Sequence, residues 1–326
     1  MKFIYALLLM GFAVTVNPNQ LQAQKIYRIS GLVADDQFIP AMDGFRKRMA
    51  QLGYVEATNV IYNFQNSKGD QGVLKKLAEV LIHEKPDLIV TSSTTATVTV
   101  AKLTEGSDLP VVFLSAGDPL RVVQSYASSG NNLTGISSSS LDLVDKRMEL
   151  LKNLAPKAKR VIILVDSAGI GVNHERFAIS AQAAAKKLDL QPVLLDVKAK
   201  TAEEIRQKLP LIKRSLGDAL FLPPEATVVA AAKDVAQQAI REKLPHVGPN
   251  IETVKRGMLA AYSSNYYSLG QQGAVLVDKV LKGSRPTDLP IEQPFKLHLV
   301  LNVRTAKAIG LDISNDILLQ ADEVIK

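Results

Sequence analysis

Cysteine is absent from the 326 residues. That excludes a disulfide scaffold, a cysteine nucleophile, a thiolate metal site and a lipidated N-terminal cysteine. Tryptophan is absent too, and aromatics make up only 5% of the chain. The four histidines, His83, His174, His246 and His298, include no two at the close spacing of a zinc motif. They read as surface or edge residues, and no metal site is expected. The net charge of +7 comes from 39 basic and 32 acidic residues spread along the chain. No basic stripe interleaved with aromatics is visible, which argues against a nucleic-acid partner. The charge bears on solubility instead.

What is present begins with a targeting pattern. Lys2 is followed by an apolar run from Phe3 to Val16, broken only by Gly11 and Thr15. A polar stretch then ends in Leu21-Gln22-Ala23. This order is that of a secretory signal peptide cleaved near Ala23. The run is shorter than the roughly 20 residues a membrane span needs. No later apolar run approaches that length. The mature chain is expected to be soluble and exported to the periplasm.

From Lys25 onward, apolar strand patterns alternate with helical ones. Met42, Phe45, Met49 and Leu52 share one helical face that Gly53 terminates. Asp87 to Val90 and Val111 to Leu114 are short, almost wholly apolar strands. Such βα repeats predict a parallel sheet covered on both faces. The polar segment Gly130 to Ser140 reads as a short strand followed by a crossover. A second βα series follows, with strands at 160–165, 192–197, 219–222, 258–262 and 295–301. Pro210 is expected to kink the helix that carries Ile205, Leu209, Ile212 and Leu216, and one helix is expected over about 227–243. The fold class is therefore α/β, with two doubly wound parallel-sheet lobes. Ligands of such sheets bind beyond the carboxyl ends of the strands.

Motifs for chemistry fail when tested. Gly169-Ile170-Gly171 starts like a dinucleotide fingerprint, but His174 takes the third glycine position. No P-loop exists, and Gly135-Ile136-Ser137 does not complete a nucleophile elbow. No catalytic set and no cofactor is expected. What recurs is small hydroxyl residues at strand ends: Ser92, Ser93, Thr94 and Thr95, then Ser115, then Thr227. Hydroxyls and free amides at helix starts receive carboxylates well; they also serve as simple N-caps. Asp35, Asp118, Asp166 and Glu225 lie at the same level, as helix caps, salt-bridge partners or holders of a ligand ammonium. Hydroxyls with one carboxylate suit a zwitterion. Ser137, Ser167 and Asn250 complete the candidate ligand-binding set.

These residues lie within a longer resemblance. Phe45-Arg46 through Met49-Ala50-Gln51-Leu52-Gly53-Tyr54 is similar to the first helix and turn of a family of ABC transporter substrate-binding proteins. Gly117-Asp118-Pro119, Asn132-Leu133-Thr134-Gly135, the stretch from Asp145 to Pro156, Tyr266-Tyr267-Ser268-Leu269-Gly270 and the ending from Leu319 to Ile325 also match, in order. The resemblance implies a type I periplasmic-binding-protein fold with three interlobe crossovers. With the signal peptide at 1–23, the expected first lobe is 24–136 plus 265–290 and the second 137–264 plus 291–326. The resemblance also implies an amino-acid-like ligand, since some relatives bind aromatic or branched amino acids. Glu225-Ala226-Thr227 departs from the Asp-Asn-Thr common in amino-acid-binding relatives, and Asp166-Ser167-Ala168-Gly169 departs from their Asn-Pro loop.

The expectation is a monomeric, non-enzymatic receptor that closes on a small molecule and docks on a membrane permease. A receptor that signals to a membrane sensor shares every one of these features. A regulator's effector domain needs a DNA-binding headpiece before the first strand, where this chain has a signal-like segment. A two-lobed enzyme needs a convergent catalytic set that the sequence does not show.

Overall fold

The computed structural model of the chain describes residues 25–169 and 173–326. The predicted signal peptide lies outside these residues, as do Ile170 and Gly171 of the tested glycine motif. The first series runs β1 (Tyr27–Val33), α1 (Ile39–Gln51), β2 (Val60–Asn66), α2 (Gln71–His83), β3 (Leu88–Ser92), α3 (Thr94–Leu103), β4 (Val111–Ala116) and β5 (Leu133–Ser137). These strands form one parallel sheet in the order β2-β1-β3-β4-β5. Strands β3, β4 and β5 are buried at every position, as continuous apolar runs between two helical layers should be. The edge strand β2 is buried only at Val60.

After β5 the chain crosses to a second lobe. There it builds α4 (Val144–Leu154), β6 (Arg160–Val165), α5 (His174–Lys187), β7 (Gln191–Asp196), α6 (Ala202–Lys208), β8 (Ala219–Phe221), α7 (Ala226–Ala230), α8 (Ala232–Arg241), β9 (His246–Gly248), α9 (Ile251–Lys255) and β10 (Ala260–Ser264). It then returns to the first lobe as α10 (Tyr266–Leu281), which packs on α1, β4 and β5. Residues 291–292 run beside β5, with the Ser137 amide donating to the Glu292 carbonyl at 2.8 Å. A third crossing delivers β11 (Leu297–Asn302), α11 (Val303–Ile309), α12 (Asn315–Gln320) and β12 (Glu323–Ile325) to the second sheet. Its order is β12-β11-β10-β9-β8-β6-β7.

Four details differ from expectation. His246, read as a surface or edge residue, is fully buried on the interior strand β9, where its ring Nδ1 lies 2.6 Å from the Leu244 carbonyl. The second sheet is mixed, because β11 runs antiparallel to β10. Pro210 ends α6 in a 3-10 turn over Leu209–Leu211 instead of kinking a longer helix. Proline removes an amide and clashes with the preceding turn, so a short amphipathic helix stops there. The helix expected over 227–243 is two, α7 and α8, divided at Ala231.

The cores are distinct, touching only where Ala226 of α7 packs against the first lobe. One is built on the first sheet around Phe45, Leu88, Phe113 and Leu276. The second sheet has a core on each face, one around Phe177 and Phe221 and one around Leu164, Leu220 and Val235. Each lobe thus buries its own apolar surface, the condition for two bodies that move against one another. Among the described residues no helix is long and apolar enough to cross a membrane.

Candidate functional site: the interlobe cleft

The carboxyl ends of the two sheets face each other. On the first lobe, β3 ends at Ser92 and hands directly to α3. Ser93 is the N-cap: its hydroxyl accepts from the Ala96 amide at 3.0 Å. Its backbone holds φ +107° and ψ 154°, a region that only glycine visits readily. Thr94 and Thr95 are the first residues of the helix, where amides have no intrahelical acceptor and the dipole favours an anion. The Thr94 hydroxyl accepts from the amides of Gly117 and Asp118, at 2.8 and 3.2 Å, and so ties the β4 loop to the head of α3.

On the second lobe, Glu225 precedes α7. Its carboxylate accepts from the Ala226 amide at 3.2 Å and, across the cleft, from the Thr95 hydroxyl at 3.4 Å. Behind it, Asp166 at the end of β6 accepts from the Thr227 hydroxyl at 2.7 Å and the Ala199 amide at 2.8 Å. That pair fixes the α7 turn within its own lobe.

Two small chambers meet at Thr95 and Ala226. One is lined by Phe38, Ser115, Ser138, Pro224 and Tyr266, the other by Ala34, Ser67, Gln71 and Thr227. Each leaves about 10 Å³ of free volume, room for about one water. The lobes are therefore shut on one another, and a larger molecule enters only if they part.

The residue range 27–325 matches the family model described as ABC transporter substrate binding protein. The chain belongs to this family. Substrate-binding proteins of this kind take a small-molecule ligand and work with ABC permeases. Among similar proteins is a tyrosine-binding protein of Clostridioides difficile, 28% identical over 290 residues, which span 88% of this chain and 81% of that protein. Among solved structures, a Streptococcus pneumoniae ABC domain in complex with L-Trp is 25% identical, with a TM-score of 0.83 over 92% of this chain and all of that one. A conserved domain protein from Vibrio cholerae has a TM-score of 0.84 at 22% identity, over 92% of this chain and all of that one, and shares the fold.

Within the substrate-binding protein, the predicted site residues divide by position. Ser93, Thr94, Thr95, Ser115 and Thr227 line the two chambers, and Glu225 reaches Thr95 between them. Ser92 supports Ser115 from beneath, hydroxyl to hydroxyl at 2.7 Å, and both are buried. Asn250 caps α9 and donates to the Gln37 side chain of the first lobe at 2.9 Å and to the Tyr266 hydroxyl at 3.2 Å. Ser137 ends β5 just before the first crossover, and its hydroxyl accepts from the Ser139 amide at 3.0 Å. Asp166 acts inside the second lobe. Ser167 points away from the cleft to Asp196, at 2.6 Å. Asp35 and Asp118 meet arginines of the opposite lobe, at 3.1 and 3.0 Å.

Sequence reasoning passed over Phe38, Ser138, Ser140 and Tyr266, which all line the cleft. Phe38 and Tyr266 pack with ring centroids 5.1 Å apart. Phe38 follows Asp35 at a strand end and Tyr266 opens a helix, so the strand-end rule that selected Ser92–Thr95 reaches both. It also passed over Arg147, which is completely buried. Arg147 donates to the carbonyls of Pro249, at 2.8 Å, and Ser140. Burial pulls its pKa down to about 10, so it stays charged at neutral pH. It thereby ties the first crossover to the loop that presents Asn250. Burial likewise pushes the Tyr266 hydroxyl well above its ordinary value and keeps it a neutral partner for Asn250.

Proposed function

We propose that this chain is the exported, periplasmic receptor of an ABC uptake system, and that it closes on an amino acid or a related zwitterionic carboxylate without making or breaking a bond. The ligand's carboxylate is received by the head of α3, from Thr94 and Thr95, with Ser115 beside it. Glu225 faces the ligand's cationic end from the second lobe. Phe38 and Tyr266 supply the apolar wall for a side chain. Closure follows because such a ligand touches both lobes and so favours the shut arrangement. The protein acts as a monomer with no nucleic-acid partner, and delivers its ligand to a membrane permease.

The observation that carries this reading is the Thr95–Glu225 contact. It sets an anion-favouring helix head and a carboxylate against one another, the two poles a zwitterion needs. The tyrosine-binding and L-Trp-bound relatives support the same ligand class. Glutamate in place of the shorter aspartate of many relatives extends the carboxylate by one methylene, which favours a ligand that leaves that much more room.

Mass spectrometry of small molecules released on denaturation tests this directly. A stoichiometric compound carrying both a carboxylate and an amine is expected. A released sugar, nucleotide or metal chelate would overturn the ligand assignment.

A further inference from the structure

The lobes also meet through charge on either side of the ligand cleft. In the first sheet β3 lies between β1 and β4, and in the second β8 lies between β9 and β6. The central strands carry the Thr95–Glu225 contact. Each flanking pair of strands carries an ion pair. Asp35, after β1, meets Arg256, just beyond α9 and β9, at 3.1 Å. Asp118, after β4, meets Arg176 on α5, beyond β6, at 3.0 Å, and accepts from the Asn173 amide at 3.3 Å. The two carboxylates are 8% and 2% exposed, and the two arginines 26% and 43%. Asp142 lies 3.8 Å from Arg176 and accepts from the Tyr126 hydroxyl at 3.2 Å, which extends the second cluster.

We propose that Asp35–Arg256 and Asp118–Arg176 are positioning pairs that hold the two lobes partly shut before any ligand arrives. Each pair joins residues distant in sequence and in different lobes, so neither contributes to the stability of a lobe by itself. Both break when the lobes part. Their arginines keep contact with water, so each pair is of modest strength and sensitive to salt. A ligand for the closed arrangement binds in proportion to the fraction already closed, so the pairs raise apparent affinity without touching it. The inference rests on the two-lobe receptor reading, but its test needs no ligand.

The absence of cysteine permits clean labelling. Val80→Cys on α2 and Ile179→Cys on α5 place one spin label on each lobe, at positions 55% and 67% exposed. Pulsed dipolar spectroscopy on the dialysed, ligand-free protein then reads the interlobe distance. At low salt a short-distance population is expected. Arg176→Ala with Arg256→Ala should lower the closed-to-open ratio about tenfold, roughly threefold per pair. Arg176→Lys with Arg256→Lys should retain most of it. The labelled parent in 1 M KCl should shift toward the long distance, an arm that does not depend on the variants folding. Identical distance distributions at both salt concentrations would overturn the proposal, as would no change in a folded double alanine variant. Failure of the amino-acid assignment would leave this measurement unaffected.

Discussion

Ser93 combines a cap and a strained backbone, and the two can be separated by substitution. The φ of +107° places a non-glycine residue where strain of about 1–3 kcal/mol is normal. Its hydroxyl offsets part of that by capping α3. Ser93→Ala loses the cap and keeps the strain, so it should destabilise the protein by about 1–2 kcal/mol. Ser93→Gly also loses the hydroxyl but relieves the strain, so it should be the more stable of the two by about 1 kcal/mol. Urea denaturation of both variants gives the order, and alanine above glycine would contradict it. At this scale position at a strand end picked out residues that the structure brings together across the cleft. Thr95 and Glu225 were found that way. Asp35 and Asp118 were found too, but their partners Arg256 and Arg176 lie 221 and 58 residues away, and no local pattern announces such a pairing. Ser167, by contrast, donates its hydroxyl to Asp196, a partner from the neighbouring strand end that no local pattern announces.

Helices α1 and α10 show how an element scattered in sequence becomes part of a lobe. Gly44 lies against the Tyr267 carbonyl and Gly270 against the Ala41 carbonyl, where an added Cβ would come within 2.0 and 1.8 Å of the oxygens. Only paired glycines allow this backbone approach, which brings α10 back onto the first lobe and sets Tyr266 over the cleft. Gly270→Ala should therefore force the helices apart and cost about 3 kcal/mol, at the upper end of overpacking penalties. A denaturation midpoint unchanged by that substitution would refute the packing argument. The individual strands and helices were readable from apolar period. The return of α10 was not, because period tells which face is buried and not which sheet buries it. It came from the family resemblance. The antiparallel entry of β11 was hidden for the same reason: alternation is the same in either direction, and the direction follows from where the third crossing begins. The division of α7 from α8 at Ala231 had no breaker residue to mark it, since alanine is the best helix former.

The whole molecule is two bodies joined by three strands of chain, with distinct cores and a shared seam. The seam mixes hydroxyls with Phe38, Tyr266 and Ala226 at its centre and is charged on its flanks, so parting the lobes exposes only this small apolar patch and leaves the sheet cores covered. This is the physical requirement for a receptor that opens and closes many times. Fold class was legible almost entirely from the βα alternation. The two lobes followed from the two βα series, and the recurrence of strand-end hydroxyls pointed to a cleft shared between them. The depth of closure depends on contacts between lobes, and no sequence pattern within either lobe encodes it.

The central claim is that the cleft takes an amino-acid-like zwitterion between the head of α3 and Glu225. Calorimetric titration of the protein with the twenty L-amino acids, and with any carboxylate-and-amine compound released on denaturation, tests it most directly. The account predicts saturable one-to-one binding of at least one of them, with a negative heat-capacity change from surface buried on closure. It also predicts about ten- to a hundredfold weaker binding of the same compound to Glu225→Gln, the effect of losing one charged hydrogen bond of roughly 1.5–3 kcal/mol. No binding by any of these compounds, or equal affinity for the parent and Glu225→Gln, would contradict it.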